Sequence, residues 1–166
     1  MRSVSSQEFF NTALKINADV LSLVSRDDVI PKRYRFLISV PVAETAREIV
    51  VEINRAEAFY PSNAANVLQR KKHYNLAIAA CEQLYLDIQT IIGNKRLPAT
   101  AAKFEAVATA ILTEIKLIKG ARDNTKPVKL KDRNYDEWVS EAEGELARRI
   151  ALRDEAEAAA AFGEEP

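Results

Sequence analysis

Cysteine, histidine and glycine are all scarce in this chain, and each scarcity removes a class of explanation. A single cysteine, Cys81, excludes an intramolecular disulfide and a cysteine-based zinc site. A single histidine, His73, cannot supply the paired Glu-x-x-His motifs of a di-iron bundle, and any Ser-His-Asp triad or Cys-His pair would have to be built on it. Four glycines among 166 residues leave no Gly-rich phosphate loop and disfavour a loop-rich or all-β fold. No apolar run approaches the roughly 18 residues that a membrane span needs. The start MRSVSSQEFF has no signal-peptide core, so a cytoplasmic protein with no membrane association is expected.

What is present is helical periodicity. Ser5 and Glu8 form a capping box ahead of a stripe at Phe9, Ala13, Ile16, Val20 and Leu23, which predicts a helix over residues 6–25. Pro31 suits the first turn of a second helix running to about Tyr60, with its stripe at Val42, Ala46, Ile49, Ile53 and Ala56; Pro41 should kink or restart it. A third helix over 64–92 places Tyr74, Ile78, Cys81, Tyr85, Ile88 and Ile92 on one side, and a fourth over 98–119 does the same with Ala101, Phe104, Ala108, Ile111, Ile115 and Ile118. Gly93 and Gly120 read as their stops. The expected fold is all-α: an up-and-down antiparallel four-helix bundle over residues 1–122, then a charged linker and an acidic amphipathic helical tail over 123–166. The tail helix is expected from about Tyr135 to Ala161, with the Ala/Glu-rich end EAEAAAAFGEEP frayed or disordered.

The chemical inventory is thin. Cys81 falls on an apolar stripe and reads as a small core residue. His73, beside three basic residues, reads as a solvated side chain. Glu44, Glu48 and Glu52 follow i, i+4 spacing next to Arg47 and Arg55, the pattern of a solvated helix face. No catalytic residue, metal site or cofactor is therefore assigned.

Charge is more informative than chemistry. The overall balance is zero, but residues 1–130 carry 19 Lys+Arg against 13 Asp+Glu while residues 131–166 carry 5 against 11, a body of +6 joined to a tail of −6. Two basic clusters stand at helix starts: Lys32, Arg33 and Arg35 within IPKRYRF, and Arg70, Lys71 and Lys72. They are the candidate nucleic-acid-binding residues, for RNA or DNA. In an antiparallel pair they lie towards opposite ends, so a continuous basic surface would require oligomerisation. On the tail, Trp138, Leu146 and Ile150 form a stripe too narrow for a buried helix but sufficient for a partner's groove. An interaction scaffold with no nucleic-acid role is the alternative.

The pattern IPKRYRF, followed by VAETAREIVVEINRA and a long helix containing RKKHYNLAIAACEQLY, resembles a small four-helix-bundle family. That family includes the accessory variability determinant of diversity-generating retroelements and proteins encoded in intervening sequences of bacterial ribosomal RNA genes. The resemblance covers about residues 6–120. It implies a non-catalytic homopentamer that binds nucleic acid through basic surface residues and associates with a reverse transcriptase. Lys32, Arg33 and Arg35 match the family's basic start of helix two, whereas Arg70 to Lys72 are compatible with its charged surface without matching it individually.

Overall fold

The structure, a computed structural model, describes residues 8–128 and 135–162, and in the last helix the side chains of residues 139–141 and 143–153. Five helices follow one another: α1 (Glu8–Val24), α2 (Ser39–Ala58), α3 (Ala64–Gly93), α4 (Ala101–Asp123) and α5 (Tyr135–Phe162). Each of the first four packs on its neighbours in the chain and α4 closes on α1, so they form a ring around one core; α5 touches α3. This is the expected all-α bundle. The Ser5 half of the capping box and the side chain of Trp138 lie outside the described residues.

In α1 and α2 the core is built where the periodicity placed it; in α3 Leu84 and Ile91 are buried where Tyr85 and Ile92 were expected, and in α4 Ala101 is exposed and Ala108 half-buried. All five predicted seam residues of α2 are buried, as are Phe9, Ala13, Ile16 and Val20 of α1, which ends its seam on Val24 rather than Leu23. Cys81 is a core residue with no exposed surface; burial, helped by the charge of Glu114, pushes its thiol up to about 12.

Three boundaries differ from the sequence expectation. The second helix does not begin at Pro31: residues Lys32–Tyr34 make a single 3₁₀ turn, and α2 starts only at Ser39. Pro41 accordingly sits in the first turn of α2, where its missing N–H costs nothing, and the helix starts afresh beside it, the restart expected as the alternative to a kink. The α2 start is pinned to α1 because the buried Ser39 hydroxyl donates to the carbonyl of Val24 at 2.7 Å. At the other end, Gly120 does not stop α4, which continues to Asp123. The expected linker is tied down in its first part. Thr125 is buried and donates to the carbonyl of Ala121 at 2.8 Å, and the Val128 N–H donates to the carbonyl of Pro61 at 3.0 Å. The third difference is in α5, which stays helical through Phe162 where fraying was expected.

The α4 seam holds a surprise. Its buried line is Phe104, Val107, Ile111, Glu114 and Ile118, so a carboxylic acid occupies a core position and Ile115 is only half-buried beside it. Glu114 has no exposed surface, and neither carboxyl oxygen has a hydrogen-bond partner among the described residues. Burial, with a smaller contribution from Glu8, pushes its pKa up to about 8.

Two stability predictions arise from this seam. Ile111→Ala should cost about 2–5 kcal/mol in denaturant unfolding, through lost burial and a residual cavity, and Ile115→Ala less. A loss at Ile111 below about 0.5 kcal/mol would show that its face is not core. The folded state binds the Glu114 proton more tightly than the unfolded chain does, so it holds more protons between about pH 4.5 and pH 8. The Glu114 contribution to stability should therefore be intact at low pH, decline across that window and stay lost above it. Glu114→Gln should flatten this part of a pH–stability curve, and an unaltered slope would disprove the assignment.

Candidate nucleic-acid interface

The α2–α3 contact is made by polar as well as apolar residues. Glu52, expected on a solvated face, is buried at 2% exposure. Its seam neighbours Ile49, Ile53 and Ala56 turn this side of α2 inward, and Glu52 falls one residue from that line. Its carboxylate is met by Arg55 on the same helix and by His73 of α3, whose Nδ1 lies 2.6 Å from Glu52 Oε2. The His73 ring also stacks on Phe59, with centroids 5.6 Å apart and planes at 10°. Burial alone would raise the Glu52 pKa, but the bonds from His73 and Arg55 outweigh it and hold the carboxyl below its ordinary range. His73 is thus a fastening between two helices, not the solvated side chain that its basic neighbours suggested.

A second fastening lies beside the first. Arg70 pairs with Glu57 of α2, donates to the Phe59 carbonyl at 3.3 Å and reaches the Tyr74 hydroxyl at 3.2 Å, while that hydroxyl also donates to Glu57. Burial, followed by the Glu57 carboxylate, pushes the Tyr74 phenol far up. Arg70 keeps only 14% of its side chain exposed. Its charge is committed inside the protein.

The basic cluster of IPKRYRF sits on the turn before α2. Arg35 pairs with Asp27 at 2.9 Å, and Lys32 stands 4.0 Å from the same carboxylate with 79% of its side chain exposed. Arg33 lies over the Tyr34 ring, 4.8 Å from its centre. Next to it, Asp28 is held at about 2 by Arg26 and Lys103. The turn is therefore a mixed-charge surface from which Lys32 and Arg33 face outward.

The α3–α4 packing relates one residue of a sequence cluster, Lys71, to two cations that neither cluster included. Asp123 at the end of α4 is held below its ordinary range first by its bond from Arg122, with smaller contributions from the charges of Arg122, Lys71 of α3 and Lys119 of α4. Arg122 bridges the two helices by donating to Asn75 Oδ1 at 2.9 Å and to Asp123 at 2.9 Å. Lys119 and Arg122 went unassigned because they lie 48 or more residues along the chain from Lys71, and only the α3–α4 packing unites them. Lys72 is exposed near the same end of α3. The groove between α2 and α3 has the opposite sign: a shallow, open depression of about 550 Å³ lined by Glu44, Glu48 and Glu52 together with Leu76 and Gln83.

Of the tail residues assigned to a partner, Leu146 and Ile150 are half-exposed, at 49% and 46%. No family model matches the chain, and no curated protein or solved structure matches it either.

The fastenings carry a prediction. Glu57→Ala leaves a buried guanidinium and a buried phenol without their shared acceptor, which should cost about 1–3 kcal/mol. In a double-mutant cycle with Arg70→Ala the two losses should be clearly non-additive; simple addition would mean that the pair does not hold α2 to α3.

Proposed function

We propose that the protein is a non-catalytic, nucleic-acid-binding accessory protein, with RNA or DNA phosphates held on the α3–α4 surface of Lys71, Lys119 and Arg122. One observation carries this reading: Arg122 joins α4 to α3 through Asn75, on a surface where its charge and those of Lys71 and Lys119 all act on the single carboxylate of Asp123. The +6 of residues 1–130 supplies the long-range attraction, and the acidic α2–α3 groove would repel a phosphate backbone and so orient it. Lys32 and Arg33 add a weaker contact at the other end of α2. Arg70 and Arg35 contribute less, because each is already paired to a carboxylate. The Glu52–His73 pair is assigned to helix packing: its carboxylate is already shared with Arg55, and its ring is covered by Phe59. The resemblance to retroelement accessory proteins adds a reverse transcriptase as the protein partner. It also adds a homopentamer as the state in which separate basic patches would become continuous.

Fluorescence anisotropy with labelled RNA and DNA, single- and double-stranded, tests the phosphate surface. Lys71→Gln with Lys119→Gln should leave helicity unchanged, weaken binding across sequences by roughly ten-fold, and lower the salt slope on duplex DNA by about 0.9 per lost contact. Lys32→Gln with Arg33→Gln and Arg35→Gln should produce a smaller loss of the same kind. Unchanged affinity and slope in the first variant would remove the assignment.

A further inference from the structure

We propose that the end of the bundle remote from Lys71 and Lys119 is a single-strand surface, where unpaired bases of RNA or DNA stack on Phe36 and their phosphates meet Lys32, Arg33, Lys95 and Arg96. The proposal deepens the nucleic-acid reading and rests on it. Two connections meet at this end, residues 25–38 between α1 and α2 and residues 94–100 between α3 and α4. They carry six Lys and Arg against only Asp27 and Asp28, whereas the connection at the opposite end, residues 59–63, carries no charge. Both carboxylates are shared: Asp27 by Arg35 and Lys32, and Asp28 by Arg26 at 2.8 Å and by Lys103, from the first turn of α4, at 3.2 Å. Arg33, Lys95 and Arg96, all exposed, take no part in these pairs, so an excess of positive charge survives the pairing.

The two connections form one fixed surface. Buried Val29 and Ile30 anchor the first in the core and buried Leu97 anchors the second. Lys103 ties them together, its ammonium donating to the Asp28 carbonyl and, at 3.4 Å, to that of Pro98. Phe36 and Leu37 are the most exposed large apolar residues among those described, at 82% and 71%. Leu37 and Ile38 both donate to the Tyr34 carbonyl, at 3.1 and 2.9 Å, so the Phe36 ring projects from a hydrogen-bonded turn. Beside it Arg33 lies over the Tyr34 ring, 4.8 Å from its centre, a second flat group on which a base can stack. A nucleotide matches this mixture, since its base offers an apolar face and its phosphate a negative charge. In a duplex those faces are covered by neighbouring bases, so only an unpaired strand can use the ring. Roughly 30 Å of α3 lies between Lys71 and Gly93, which makes this surface separate from the α3–α4 one.

Fluorescence anisotropy of the full chain with labelled oligo(dT), oligo(rU) and a duplex of equal length tests it. The native protein should bind both single strands more tightly than the duplex. Phe36→Ala should weaken the single-strand complexes by roughly ten-fold with their salt slope unchanged, because stacking releases no counterions, and leave duplex affinity within about two-fold. Phe36→Tyr should keep single-strand binding and Phe36→Leu should lose it, which separates ring stacking from apolar contact; circular dichroism should show all three variants folded. Lys95→Gln with Arg96→Gln should lower the single-strand slope by about 0.7 per lost contact. Single-strand affinity unmoved by Phe36→Ala, while Lys71→Gln with Lys119→Gln still weakens binding, would overturn this surface and leave the α3–α4 reading standing. A loss in Phe36→Ala with no effect of the Lys71 and Lys119 changes would support this surface and remove the other. A native protein that binds none of the three probes would overturn both. A change of assembly size in light scattering of Phe36→Ala, with single-strand affinity intact, would also overturn the proposal, since the ring would then sit between copies of the chain.

Discussion

Everything in this bundle is referenced to the contact between α2 and α3, and that contact depends on burying a carboxylate with its partners. Two apolar stripes of isoleucine, valine and alanine can pack in several registers, since sliding one helix by a turn replaces one branched side chain with another of similar volume. A buried charge tolerates no such slip, because the displaced state would leave it unpaired in a medium of low polarity. Glu52 beneath His73 and Arg55, and Glu57 beneath Arg70 and Tyr74, give α2 and α3 two fixed points less than two helical turns apart. With that pair set, α1 and α4 close the ring through apolar contacts and through Ser39 bonded back to Val24.

The same fixed points separate charge on the surface. Arg70 and His73 of α3 are drawn inward to α2, while Lys71, on a different face of the helix, is left to the α4 side with Lys119 and Arg122. Glu44 and Glu48 stay on the groove side. A sequence cluster that reads as one basic patch is thus divided by the helix's rotation of 100° per residue: one part goes to structure and the other to a surface formed with a distant segment. For this reason the functional reading moves from clusters in the sequence to a surface in space.

Much of the architecture was legible in the sequence because periodicity reports burial directly. The stripes of α1 and α2, the core position of Cys81 and the turn at Pro61 to Asn63, where Asn63 Oδ1 accepts from the Asn66 N–H at 2.9 Å, all follow from spacing and turn chemistry. The failures share a cause. Glu52 and His73 were assigned by residue type, which puts charge outside, and their burial is decided by partners on the facing helix. In α4 the expected line ran through Ile115, whereas the buried position beside it is Glu114, a residue that an apolar stripe does not pick out. The basic turn before α2 failed for a local reason: Pro31 opens a 3₁₀ turn as readily as a helix, and only the Ser39 tie to α1 fixes where the helix begins.

Glu52 and Glu114 set the limits of what burial means for a carboxyl in this fold. Both are nearly inaccessible, yet partners hold one below the ordinary range and their lack leaves the other raised to about 8. For Glu52 the stabilising form is the charged one, so its contribution is lost as pH falls. For Glu114 it is the neutral one, so its contribution is lost as pH rises. The two act at different seams, Glu52 between α2 and α3 and Glu114 on the inner face of α4, so acid loosens the polar fastening while base burdens the apolar core. The α3–α4 surface proposed for phosphates is built on the helix whose inner face holds the acid without a hydrogen-bond partner among the described residues, and Arg122 reaching across to Asn75 ties that helix to α3.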